Sequence, residues 1–171
     1  MPAVSEDMIL DQVDQTDVPI GQVRREDVFA KHASFRVAHV LIFDSKGRLL
    51  LQRLALGRKR NPGAWGSSVA SYLFASESYE AAASRRVQEE LGVAAPPLTF
   101  VGKTEMIDDG CHKFISVFTM NDDGPFVPDQ SHIEELEFVP PLLIQQMIDE
   151  GARRFTPTFV YVFRYYQSKF Q

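Results

Sequence analysis

Runs of apolar residues at period two and period three to four divide the chain into short strands and three helices. Apolar and polar residues alternate over 8–13, a polar stretch follows at 14–17, and an extended pattern resumes over 18–23. That spacing predicts a small hairpin. Residues 25–31 read as a short helix or a connector. Phe35–Phe43 is rich in apolar side chains and 49–53 is its expected partner, with Asp44-Ser45-Lys46-Gly47 between them. Glycine there tolerates the positive φ of a tight turn. Residues 67–73 predict a short buried strand, 98–106 and 114–120 two more across a loop at Asp108-Asp109-Gly110, and 136–139 a last one. Pro140 and Pro141 open a helix that runs to about Glu150 and stops at Gly151. Thr156 caps a final helix over Pro157–Phe170, whose aromatic residues predict that it covers the sheet or a dimer seam. Strands and helices mixed in this way predict an α+β fold, an α/β/α sandwich on a mixed sheet.

The remaining helix, over 78–91, carries most of the candidate chemistry. Ser78 is placed to cap it, Glu80 suits the positive end of its dipole, and Gly92 can end it in the left-handed region. At 100° per residue Ala83, Val87 and Leu91 share one stripe that can face a sheet. Arg86, Glu89 and Glu90 fall on an adjacent arc. Two readings of that arc stand open. Neighbouring carboxylates can converge on a hard divalent cation, and Arg85 with Glu89 and Arg86 with Glu90 also form the i,i+4 ladders of a solvated helix face.

Composition narrows the functional classes. The 171 residues are 44% hydrophobic with 13 Phe, enough for one domain with a sizeable core, and the expected division is an N-terminal hairpin and connector over 1–34 followed by a core over 35–171. A net charge of −5 argues against a general nucleic-acid or anionic-membrane partner. No run approaches the ~18 apolar residues of a membrane span, and residues 1–14 lack a basic, apolar leader pattern, so a cytoplasmic protein is expected. The single Cys111 allows no internal disulfide. Cys111 and His112 have no further spaced ligands to complete a zinc pattern.

The stretch from Ser71 to Val93 resembles the Nudix box. Glu77 stands eight positions before Arg85, and Arg85-Arg86-Val87-Gln88-Glu89-Glu90-Leu91-Gly92-Val93 fills the second half. The resemblance implies the Nudix fold, a small-molecule diphosphate substrate, and Mg²⁺ or Mn²⁺ held by Glu77, Glu89 and Glu90, with Arg85 orienting Glu89. Two positions depart from the pattern: Ser71 stands in place of the opening Gly, and Arg86 in place of the first helix Glu. Arg86 reverses a charge and can compete with a cation through Glu90.

Beyond the box, Val18-Pro19-Ile20-Gly21, the segment 43–50 and Asn61-Pro62-Gly63-Ala64-Trp65 are similar to the isopentenyl-diphosphate isomerase branch and its hydrolase relatives. The isomerase's catalytic Cys and metal-binding His match Ala70 and Tyr72, and its later acidic pair falls near Cys111 and Lys113. Those residues do not supply the strong acid that alkene protonation needs. Asn61-Pro62-Gly63, Gly124-Pro125-Phe126 and Phe155-Thr156-Pro157 are more similar to the YfcD-like hydrolases. The resemblance implies Glu135 as a further catalytic carboxylate. Hydrolysis of a diphosphate also wants cations for its oxygens, and Arg25, Arg53, Arg58 and Lys59 are the candidates, of which Arg25 and Arg58 match basic positions of the isomerase's diphosphate pocket. A homodimer is a further expectation. Trp65 is expected to pack the loop, and His39 to be a packed core histidine. The alternative function is a domain that binds a phosphorylated metabolite without turnover.

Overall fold

The computed structural model describes residues 8–94 and 96–170. Strands β1 (Ile9–Val13) and β2 (Pro19–Arg24) form the N-terminal hairpin. Asp14 ties its turn by accepting from Thr16 N at 2.8 Å and Val18 N at 3.0 Å. The part of the expected N-terminal unit before residue 8 lies outside the described residues. A 3-10 turn at Arg25–Asp27 connects the hairpin to the main sheet.

That sheet holds β3 (Phe35–Phe43), β4 (Leu49–Leu54), β5 (Trp65–Gly66), β6 (Val69–Tyr72), β7 (Thr99–Asp108), β8 (Cys111–Asn121) and β9 (Ile133–Val139). Its order is β5-β4-β3-β8-β7, with β6 also on β3 and β9 also on β4. The β3–β8 pair is parallel, in register from Phe35 with Lys113 to Phe43 with Asn121, and the other pairs are antiparallel. Local turn chemistry predicts hairpins only, so the parallel pair is a product of the tertiary fold. Asp109 and Gly110, with φ of 52° and 81°, close β7–β8 as a two-residue turn tighter than the loop expected there. β9 begins three residues earlier than its apolar run suggests. Backbone pairing along β4 as far as Leu54 with Ile133 extends it, and so carries Glu134 and Glu135 into the strand.

Helix α1 (Tyr79–Leu91) covers one face of the sheet. Ser78 accepts from Ala81 N at 3.1 Å and Gly92 ends the helix at φ 73°. Ala82, Ala83, Val87 and Leu91 pack against Ala38, Val40, Ile42 and Leu50. Helices α2 (Pro141–Glu150) and α3 (Pro157–Phe170) cover the other face with Ile144, Phe159, Val162 and Phe163, against Phe35, Leu41 and Ile115 and the hairpin's Leu10 and Val23. Each such large side chain contributes ~1.5–3 kcal/mol on burial. Of the two places expected for the last helix, α3 takes the sheet. Thr156 caps it through Phe159 N at 3.1 Å. Phe155, Phe159 and Phe163 stack along it, with centroids 5.4 and 5.6 Å apart. Trp65 is buried beneath Arg153, whose guanidinium lies 4.3 Å from the ring, so it packs the loop as expected. No helix among the described residues is long and apolar enough to cross a membrane.

Candidate functional site

A cavity of about 330 Å³ opens beside β3, β6 and the start of α3, and two clusters of charged side chains line it. Alternation along β3 turns Phe35, Val37 and His39 to one face; His39 is buried, as expected, and its side chain also forms part of the cavity wall.

The first cluster is built of arginines. Arg25 lies 4.7 Å over the Tyr72 ring, Arg58 NH1 contacts both ring nitrogens of His132 at 2.7 Å, and Arg86 NH2 lies 3.3 Å from His132 Nδ1. All three arginines face the cavity. Burial pushes the Arg58 guanidinium below its usual range; Glu90 opposes the shift and the like charges of Arg25 and Arg86 add to it.

The second cluster pairs its charges. Lys113 Nζ donates to Asp108 at 2.7 Å and to Thr158 Oγ1 at 2.6 Å, while Arg60 NH2 donates to Asp108 at 3.2 Å. Against its burial, these two cations hold the Asp108 carboxyl below the usual carboxylate range. His39 Nδ1 is hydrogen-bonded to Ser67 Oγ at 2.8 Å. Its pKa falls to about 3, first because it is buried and then because Lys113 is near, so the ring is neutral.

The box carboxylates are engaged by arginines. Arg85 Nε and NH2 donate to Glu77 at 2.8 and 3.0 Å, and Phe74 N also donates to Glu77 at 2.9 Å. Arg85 NH1 reaches one oxygen of Glu89 at 3.2 Å and Arg86 NH1 the other at 2.9 Å. Glu90 Oε2 lies 3.4 Å from Arg86 NH2 and 2.6 Å from His132 Nε2. Ser71, in place of glycine, accepts from Arg85 NH2 at 3.3 Å and so helps anchor that arginine. Both i,i+4 ladders therefore exist, but the Arg86–Glu90 rung is buried, at 1% and 0% exposure, where a solvated ladder was the alternative.

The Mg²⁺ or Mn²⁺ implied by the box needs hard oxygens free of competing cations. Glu77 and Glu89 offer none, since each of their four oxygens already accepts from a guanidinium. Both Glu90 oxygens are buried without a hydrogen bond, but Oε2 lies against Arg86 and His132, so only Oε1 of this carboxylate is clear of a neighbouring cationic side chain. Among the described residues no three His, Cys, Asp or Glu side chains converge on one point. The residues do not fit a carboxylate cage for a divalent ion, because Arg85 and Arg86 take the cationic role within it.

Of the cations expected to hold phosphate, the structure brings Arg25 and Arg58 together and adds Arg86. Arg53 lies outside the cavity wall: its Nε donates to Gly63 O at 3.1 Å and its NH1 lies 3.8 Å from Glu135 on the neighbouring strand. Glu135 is likewise not among the residues that line the cavity, and Lys59 is exposed outside it. Arg85 stands behind the wall as a brace between Glu77 and Glu89. His132, which no local motif marks, is a residue that sequence reasoning missed. The matching positions to the isomerase's residues, Ala70, Tyr72 and Lys113, do line the cavity, with Lys113 ion-paired and no acid among them.

A family model described as the NUDIX domain matches residues 33–159. The uncharacterised Nudix hydrolase YfcD of Escherichia coli is 27% identical over 148 residues, spanning 86% of this chain and 80% of that one. An isopentenyl-diphosphate Delta-isomerase of Streptomyces avermitilis is 32% identical over 145 residues, spanning 79% of this chain and 72% of that one. The crystal structure of a Deinococcus radiodurans protein superposes with a TM-score of 0.82 at 23% identity, covering 91% of this chain and 97% of the other.

Proposed function

Because the chain belongs to the Nudix domain family, we propose that it acts on a small molecule carrying a diphosphate and hydrolyses the phosphoanhydride bond. The observation that carries this reading is the convergence of Arg25, Arg58 and Arg86 on one cavity whose wall holds no carboxylate of the arginine cluster. Guanidinium groups match phosphate oxygens in planar, two-point fashion. As water attacks one phosphorus and the bridging oxygen departs with its electron pair, negative charge grows on the leaving phosphate. Fixed, partly buried cations on the cavity wall favour that state over the ground state. The N-terminus of α3, at Pro157 and Thr158 on the cavity wall, adds a dipole of the same sign.

Binding without turnover is a second reading, favoured by Arg86, which neutralises Glu89 and Glu90 where the box requires free carboxylates. A panel of nucleotide sugars, dinucleotides, coenzyme A and isoprenoid diphosphates, each with Mg²⁺, with Mn²⁺ and with chelator, separates the two. Product above that of a Glu89→Gln/Glu90→Gln double variant supports hydrolysis. Calorimetric binding without product supports the second reading, and neither binding nor product across the panel overturns both. A homodimer remains part of the proposal, tested by light scattering of the full chain.

A further inference from the structure

We propose that Arg86 is a built-in counter-cation, so that the cavity binds a diphosphate without a divalent ion. The inference rests on the diphosphate reading above and departs from the metal dependence implied by the box. Three observations support it. Arg86 is 1% exposed and reaches Glu89 and Glu90 one turn away, at 2.9 and 3.4 Å, so its charge is fixed within the carboxylate set. Arg25 and Arg86 each keep a buried Nε–H with no hydrogen-bond partner, and both residues line the same cavity. Unmet buried donors are rare in folded proteins; Glu90 Oε1 and Oε2 and Asp129 Oδ2 are unmet as well, but of these residues only the two arginines line the cavity, where an anion's oxygens would meet their guanidinium groups. Finally, Arg25, Arg58 and Arg86 line this end of the cavity while Glu77, Glu89, Glu90 and Asp129 do not, so the charge facing it is positive before any metal enters. A divalent ion in a carboxylate site bridges like charges, those of the protein and those of the phosphates. Here the guanidinium of Arg86 already spans that gap.

The test is calorimetric titration of the full chain with inorganic pyrophosphate, once in chelator and once in Mg²⁺. Affinity in chelator equal to that in Mg²⁺, or tighter, is the expected result. Binding at least about tenfold tighter with Mg²⁺, a difference of ~1.4 kcal/mol, overturns the inference and leaves the diphosphate reading standing. No binding in either arm overturns both. Arg86→Gln supplies a second readout: its affinity should fall at least about tenfold in chelator and recover in Mg²⁺, as the freed Glu89 and Glu90 take up the ion. An equal loss in both arms marks Arg86 as merely structural and counts against the inference. Should the variant not fold, the wild-type pair of titrations decides the matter alone.

Discussion

The two charged clusters of the cavity use the same kinds of side chain to opposite ends. In the second cluster Lys113 closes on Asp108 and Arg60 on Asp108 and Asp109, so two cations meet two carboxylates and their charge is spent within the protein. In the first, Arg25, Arg58 and Arg86 crowd together, and the like charges help to depress the Arg58 guanidinium. Arg86 is shared with Glu89 and Glu90, so within the first cluster Arg25 and Arg58 are the cations most available to an external anion, whereas the second cluster holds β7, β8 and α3 in place. Basic residues in a cavity do not by themselves define a phosphate site; what matters is whether a carboxylate has already taken them.

The largest expected effect is on the paired cluster. Asp108→Ala leaves Lys113, whose side chain is 6% exposed, without its carboxylate. Stability should fall by ~3 kcal/mol, measured by urea unfolding, because the uncompensated charge stays buried. A loss no greater than that of an exposed substitution would show that Lys113 reaches solvent or another partner. The next effect falls on the arginine cluster. Arg58→Ala should weaken pyrophosphate binding by about thirtyfold, or ~2 kcal/mol, with stability little altered. Lys113→Met should cost far less affinity, and equal losses for the two variants would erase the distinction between the clusters.

A smaller effect concerns pH. The folded pKa of His39 lies at about 3, below its ordinary 6.5, so the unfolded chain binds the proton first as pH falls. Stability from this group is complete above about pH 6.5 and declines toward about pH 3, with a slope of at most ~1.4 kcal/mol per pH unit. Lys113 and Arg60 hold Asp108 below the ordinary carboxylate range, so its contribution is lost only at lower pH. Between pH 6 and 4, on the order of the window separating those two groups, His39→Gln should flatten the curve; an unchanged slope there would contradict a buried neutral His39. The smallest effect is expected at Glu135→Gln. Its side chain is 52% exposed and 3.8 Å from Arg53, outside the cavity, so binding should stay within about twofold and stability within ~0.5 kcal/mol. A large loss of turnover in that variant would bring Glu135 back as a catalytic carboxylate.

Much of the fold is legible in the residues. Apolar continuity marks β3, and Ser78 with Gly92, Pro141 with Gly151, and Thr156 with Pro157 mark the helix ends, because caps and breakers act over a few residues. The box pattern likewise locates α1. The site is less legible. Spacing leaves Arg86 and Glu90 on an arc that could face solvent or a ligand, and their burial depends on His132 arriving from 46 residues away. The same spacing cannot tell Arg58 from Arg53 or Lys59, although only Arg58 of the three reaches the cavity.

Local sequence thus determined the elements, their caps and the box with its two departures. Tertiary structure decided the parallel β3–β8 pair, the early start of β9 and the assignment of each cation to a carboxylate or to open cavity. The reason is physical. Caps, turns and amphipathic stripes are set by neighbours in the chain. The state of a charge is set by what is brought within a few ångströms from elsewhere, and by how much water is removed when it arrives.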